Sequence, residues 1–169
     1  MPKHILAIDT SITSPGFAVI KISDKGAAKV IFVGHTKTKS DQSPAVRMAL
    51  IYAYTVFTLN KYGHKVDAIT RESYFAGRGA GDGHKMMYFA WAAVEQALTV
   101  YGLKVTDKEV SPTTVKRLVG GGGKAGKDDV AEGVRKITGY DGDFATSDES
   151  DAVGIALVTA HKRGWITLE

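Results

Sequence analysis

Three β-rich runs crowd the start of the chain, Lys3 to Asp9, Phe17 to Ile22 and Lys29 to His35, with turn-forming residues between them. Thr10 to Gly16 joins the first two as a hairpin-like pair, and Lys25 with Gly26 turns the chain into the third. The pattern then changes. Ser43 and Pro44 take N-cap and first-turn positions, and Val46, Leu50, Ala53, Tyr54 and Phe57 recur at helical spacing, so a helix runs from about Pro44 to Lys61. Gly63 closes it. Val66 to Thr70 is a short fourth strand that runs into Arg71 and Glu72.

Beyond it, Gly77 to Gly83 is a mobile loop by composition. Lys85 to Tyr101 is helical but apolar on nearly every side, with Met86, Met87, Tyr88, Phe89 and Trp91 close together. Such a helix is buried all round. Its pattern leaves two readings open, a central core helix or a subunit interface. Leu103 to Val110 is expected as a fifth strand. Ser111 and Pro112 cap another helix, which ends at Gly120 to Gly123, and Asp128 to Thr138 is a further amphipathic helix. Ser147 or Asp148 caps a last helix reaching about Arg163, with Val153, Ala156, Leu157 and Ala160 along one face. This order predicts an α/β fold, a five-stranded mixed sheet with helices on both faces, and residues 1–169 as one domain without internal repeats.

Composition removes several classes of chemistry. The chain of 169 residues contains no cysteine, which excludes disulfides, thiolate zinc sites, iron–sulfur clusters and a cysteine nucleophile. That fits a reducing, cytoplasmic setting. The longest apolar run, Met86 to Val94, is far short of the roughly 20 residues of a membrane span, and Lys3, His4 and Asp9 interrupt any signal peptide. Net charge is +4, a modest basic excess. Its distribution says more: residues 1–39, 40–103 and 104–139 carry +4, +1 and +3, whereas 140–169 carry −4. Asp141, Asp143, Asp148, Glu149 and Asp151 cluster there, either to solvate a loop or to bind cations.

Four carboxylates stand where the expected elements end or begin: Asp9 within or at the end of the first strand, Glu72 just past the fourth, and Asp148 and Asp151 in the opening turn of the last helix. A spacing of three puts that last pair on one helical face. If strands one and four are neighbours, all four converge, and their mutual repulsion costs several kcal/mol, on the order set by an interior-like dielectric, unless cations are present. Ligands that are all oxygen favour hard cations, magnesium or manganese. Taken singly, Asp148 also reads as an N-cap, Asp9 as a turn residue and Glu72 as a surface residue. Only their joint placement carries the argument.

Gly121, Gly126 and Lys127 match the spacing GxxxxGK of a nucleotide-binding phosphate loop, but Asp128 replaces the magnesium-binding hydroxyl and the preceding segment reads as helix, not strand. The glycines with Lys116, Arg117, Lys124 and Lys127 read instead as a flexible cationic hook for nucleic-acid phosphates, or as a solvated loop. Tyr74 and Phe75 follow Glu72 closely; they can stack on a base, or belong to the core. The histidines His4, His35, His64, His84 and His161 show no ligand spacing and receive no metal role.

Ile-Leu-Ala-Ile-Asp (5–9), Thr-Arg-Glu-Ser-Tyr-Phe (70–75), Ser-Pro-Thr-Thr-Val-Lys (111–116) with Lys127, and Ser-Asp-Glu-Ser-Asp-Ala-Val (147–153), in this order, resemble the RuvC family of Holliday junction resolvases, within the ribonuclease H-like, or retroviral-integrase-like, superfamily. The resemblance spans almost the whole chain. It implies a ribonuclease H-like fold, with Asp9, Glu72, Asp148 and Asp151 as metal-binding and catalytic carboxylates. It further implies Lys116 and Lys127 as lysines near the scissile phosphate, Phe75 as the aromatic at the junction crossover, and a homodimer joined through helix 85–101. Arg117, Lys124 and Tyr74 complete the expected DNA-binding set. The family's first motif reads Asp-Pro-Gly, whereas Asp9 is followed here by Thr10 and Ser11. This is closer to the resolvases of phages from Gram-positive bacteria, for which the host cytoplasm is the setting and no branch-migration motor is expected.

The activity so implied is metal-dependent phosphodiester hydrolysis on four-way junctions and other branched DNA such as forks and flaps, leaving 5′-phosphate and 3′-hydroxyl ends. Two magnesium ions about 4 Å apart would share Asp9, one activating water and one stabilising the leaving oxygen, with Lys127 or Lys116 offsetting phosphate charge; manganese would substitute. Two other classes compete. A non-catalytic branched-DNA-binding module would use the cationic loop without the carboxylates. One lobe of an actin-like ATPase or sugar kinase would use the Ser- and Thr-rich turn after Asp9, but those proteins need two lobes.

Overall fold

The computed structural model describes residues 1–73 and 82–168. Four strands, β1 (Lys3–Asp9), β2 (Gly16–Ile22), β3 (Ala28–His35) and β4 (Ala68–Arg71), form one sheet in the order β3-β2-β1-β4. β2 is antiparallel to both β1 and β3, whereas β4 lies parallel to β1. The helices are α1 (Pro44–Tyr62), α2 (Asp82–Val100), α3 (Pro112–Leu118), α4 (Lys127–Thr138) and α5 (Ser147–Lys162). A single 3-10 turn, Gly63–Lys65, separates α1 from β4.

Alternation along β1 and β2 feeds two cores. Ile5, Ala7, Ala18 and Ile20 face α5 together with Val115, Val130 and Val134, whereas Leu6, Ile8, Phe17 and Val19 face α1 and α2 through Ile51, Leu59, Ala90, Ala93 and Leu98. A strand buried on both faces must read as a continuous apolar run, as Ile5–Ile8 does. β3 lies at the edge, and its alternating exposure follows from having one covered face.

Among the described residues the sheet has four strands, not five. Residues 103–110 follow the free edge of β4 without making a ladder: Thr106 Oγ1 accepts from the Ile69 amide at 2.8 Å, the Thr106 amide donates to the Ile69 carbonyl, and regular pairing returns only in the bridge between Glu72 and Val110. A side chain takes the place of backbone at Thr106, so the segment covers the edge without becoming a strand.

Two expectations about helices also change. α2 is not a helix buried all round: Ala90, Ala93, Val94, Ala97 and Leu98 are buried, but Tyr88 is 60% exposed and Phe89 38%. The core-helix reading of this segment is therefore overturned. The helix enclosed on nearly every side is α5, buried from Glu149 to Ala160 apart from the half-buried Asp151, because Ala152, Gly154, Ala156 and Ala160 let it lie close against the sheet and α3. Its N-cap is Thr146, whose backbone is extended (φ −143°, ψ 159°), so neither Ser147 nor Asp148 takes the capping role. The Ser43 and Ser111 caps stand as expected, accepting from the amides of Val46 at 3.4 Å and Thr114 at 3.2 Å. Among the described residues no helix is long and apolar enough to cross a membrane.

Candidate active site

Parallel pairing of β1 with β4 ends both strands at one place, and the Glu72 amide donates to the Ile8 carbonyl at 3.0 Å. Asp9 and Glu72 therefore leave the sheet side by side. The first turn of α5 crosses this end of the sheet. One carboxylate oxygen each from Asp9, Asp148 and Asp151 come within 4.8 Å of one another. Glu72 joins them through a hydrogen bond with Asp9. Three of the four acids singled out in the sequence share one point, and Glu72 lies beside Asp9 at the edge of that group.

Gly16 makes this approach possible. It pairs with Asp9 across the β1–β2 ladder, and a Cβ built on it would stand 2.0 Å from the carbonyl oxygen of Asp148. No residue but glycine leaves room for the backbone of α5 there. Gly154 serves the same end further along the helix, where a Cβ would come within 2.6 Å of Val115 on α3.

Electrostatics at this point are dominated by burial and the crowding of like charges. Burial, and then the neighbouring Glu72, Asp151 and Asp148, push the Asp9 carboxyl well above the ordinary carboxylate range. Burial also raises Glu72, partly offset by its hydrogen bond with Asp9. Asp151 is raised by burial and by Asp148, against the opposing pull of Lys127 and Lys116. The donor set is oxygen only and mutually repulsive, with Asp9 buried and the other acids half-buried, and it fits a hard divalent cation.

A pocket of about 210 Å³ opens beside the acids, lined by Glu72, Asp151, Lys116 and Lys127 among others. Lys127 Nζ donates to Ser147 Oγ at 2.8 Å, which ties the start of α4 to the start of α5. Arg117 and Lys124 are exposed and do not line this pocket. Tyr74, Phe75 and residues 77–81 of the glycine stretch lie outside the described residues. The phosphate-loop spacing leads nowhere: Gly126 caps α4, donating its amide to Asp129 Oδ2 at 2.7 Å, and helix α3 precedes it.

Of the C-terminal acids, Asp141 and Asp143 are exposed. Glu149 is buried, and its carboxylate accepts from the Ala145 amide at 2.7 Å and pairs with His35 Nδ1 at 2.7 Å. The sequence offers no sign of this pair, because 114 positions separate its members. It pins the first turn of α5 to the end of β3.

A mixed sheet with acids at the ends of its adjacent parallel strands, faced by a helix that brings two more, defines a ribonuclease H-like α/β protein. The family model for crossover junction endodeoxyribonuclease RuvC matches residues 5–160, and the chain belongs to that family. It is 30% identical over 158 residues to the crossover junction endodeoxyribonuclease RuvC of Thermus thermophilus, covering 92% of each chain. To that of Myxococcus xanthus it is 28% identical, covering 91% of this chain and 78% of the other. Among solved structures, T. thermophilus RuvC in complex with Holliday junction substrate superposes with a TM-score of 0.81 at 26% identity over 99% of both chains. The fowlpox virus Holliday junction resolvase, 15% identical with a TM-score of 0.55, shares the fold.

Proposed function

We propose that this protein is a structure-selective endonuclease, a single ribonuclease H-like domain that cuts four-way DNA junctions, and other branched DNA, by metal-dependent phosphodiester hydrolysis. The observation that carries this reading is the convergence of Asp9, Glu72, Asp148 and Asp151 from three separate elements beside Lys116 and Lys127. Asp9, Asp148 and Asp151, with Glu72 alongside, would hold the cation, magnesium by preference and manganese as a substitute. Bound there, divalent ions supply a nucleophilic water near neutral pH and neutralise charge on the phosphate and leaving oxygen.

The chain's own residues do the rest. Burial of Asp9, with Glu72 half-buried beside it, limits screening of the site by bulk water. Lys116 and Lys127 face Asp151 across the pocket, where they balance a phosphate drawn into it. Lys127, positioned by Ser147, and Lys116 are the side chains that would contact the scissile group. Arg117 and Lys124 extend the basic surface along the strand, and Tyr74 and Phe75 are expected to stack at the crossover. Hydrolysis leaves 5′-phosphate and 3′-hydroxyl ends. The exposed Tyr88 and Phe89 of α2 support a homodimer, which opposed cuts on a four-way junction require. A phage origin, a host-cytoplasm setting and independence from a branch-migration motor rest on the sequence resemblance.

Incubating the protein with a fixed four-way junction, a fork and a linear duplex, with and without magnesium, tests the reading. Paired nicks on opposed junction strands are expected only with metal. Asp9→Asn should lose at least about 1000-fold in cleavage rate, the scale of a lost metal-centred step, while still binding the junction. Cleavage by that variant in magnesium would sink the assignment, and binding with no cleavage under any divalent ion would favour a non-catalytic module.

A further inference from the structure

We propose that Lys37 and Lys39 form a second contact for the phosphodiester backbone on the α1 side of the acidic site, held in place by the buried Arg47; this rests on the nuclease reading above. Gly16 pairs with Asp9 on one side and with His35 on the other, so Asp9, Gly16 and His35 form one row across the sheet. With strands about 4.8 Å apart, His35 lies about 10 Å from Asp9, and Lys37 follows two residues later. Lys116 and Lys127 lie towards the other end of the row, past Glu72. A strand of nucleic acid whose phosphate reaches the acids from the Lys116 side continues, in line, towards Lys37.

The segment is built for presentation. Lys37 and Lys39 are exposed while Thr38 between them is buried, so both ammonium groups point outward and the threonine inward. Thr38 donates through its amide to the Thr13 carbonyl at 2.9 Å and through Oγ1 to the Ile12 carbonyl at 2.5 Å, which joins it to the turn leaving Asp9. Arg47 closes the bracket. Its Nε donates to Thr38 Oγ1 at 2.8 Å, and one terminal nitrogen donates to the Ile12 carbonyl and to Thr13 Oγ1.

Arg47 is only 8% exposed, and among the described residues no carboxylate pairs with it. A permanently charged guanidinium is costly to bury among neutral oxygens alone. Asp41 is the single acid between Thr36 and Arg47, and it is exposed. The uncompensated charge adds positive potential beside the two lysines, which suits a polyanion arriving from solution.

The test uses the full chain carrying Asp9→Asn, so that binding is read without cutting. Affinity for a four-way junction is measured between 50 and 200 mM salt for this parent, for Lys37→Ala with Lys39→Ala, and for Lys61→Ala with Lys65→Ala. The second pair removes the same charge from exposed positions at the opposite end of the sheet. Each lost phosphate contact flattens the slope of log K against log salt by about 0.9. A flattening of about 1 or more in the Lys37/Lys39 variant, with the Lys61/Lys65 variant at the parental slope, is the expected result. A smaller change, or an equal one in both pairs, overturns the proposal. A parent that binds no junction at all overturns the nuclease reading with it, so the two failures are told apart.

Discussion

Asp9 and Gly16 face one another across the β1–β2 ladder, one supplying charge and the other supplying space. Gly16→Ala places a methyl group against the Asp148 carbonyl, backbone that cannot rotate away, so α5 must shift. Overpacking of this kind costs about 3 kcal/mol. The expected signature is a rise of about ten-fold in the magnesium concentration giving half-maximal cleavage, a loss of about 1.4 kcal/mol in metal binding. Unchanged metal dependence, in a variant shown by melting to be folded, would mean that Gly16 serves packing alone. At this scale the acids were legible in the sequence because each stood at the end of a readable element. Gly16 was not, since its constraint comes from a carbonyl 132 positions away. The His35–Glu149 pair was hidden for the same reason.

α5 is the element on which the site depends, and its first turn is held by two ties besides its packing. Lys127 reaches Ser147 from α4, and His35 reaches Glu149 from β3. His35→Ala leaves a buried carboxylate with the Ala145 amide as its remaining partner, at a cost of about 2 kcal/mol. Chemical denaturation should show that loss, and Glu149→Gln in the same background should restore some of it, because an amide is cheaper to bury than an unpaired charge. If the single variant is as stable as the parent, the tie is ornamental. Element boundaries were largely readable, from Ser-Pro caps at Ser43 and Ser111 and from apolar alternation in β1 and β2. The exception at residues 103–110 was not, because Thr106 replaces backbone pairing by a side-chain bond that leaves no periodic trace.

For the whole molecule, the clustered acids link stability to pH. Asp9, Glu72 and Asp151 hold their protons more tightly when folded than when unfolded. Groups raised in this way contribute stability below their unfolded pKa and lose it as pH rises through the folded value. The metal-free protein should therefore melt at falling temperature as pH rises from the ordinary carboxylate range towards neutrality. Asp9→Asn should flatten that fall, and magnesium should raise the melting temperature more at pH 7 than at pH 5, where protons compete for its ligands. A steeper decline in Asp9→Asn than in the parent would contradict the assigned shifts. On the outer surface, Tyr88→Glu on α2 should convert the expected dimer to monomers in sedimentation and uncouple paired nicking into single nicks. A variant that stays dimeric would place the subunit contact elsewhere.

Local pattern alone settled which segments are strands and helices, residues 103–110 excepted, and that four acids and two lysines stand at or near their ends, because alternation, capping and charge are written within a few residues of one another. Tertiary structure decided which face of α2 is left exposed, that α5 is the enclosed helix, and that Gly16, Thr38, Arg47 and His35 shape the surroundings of the site. Those outcomes depend on contacts between residues far apart in the chain, and such contacts exist only once the sheet has brought its edges and helices together.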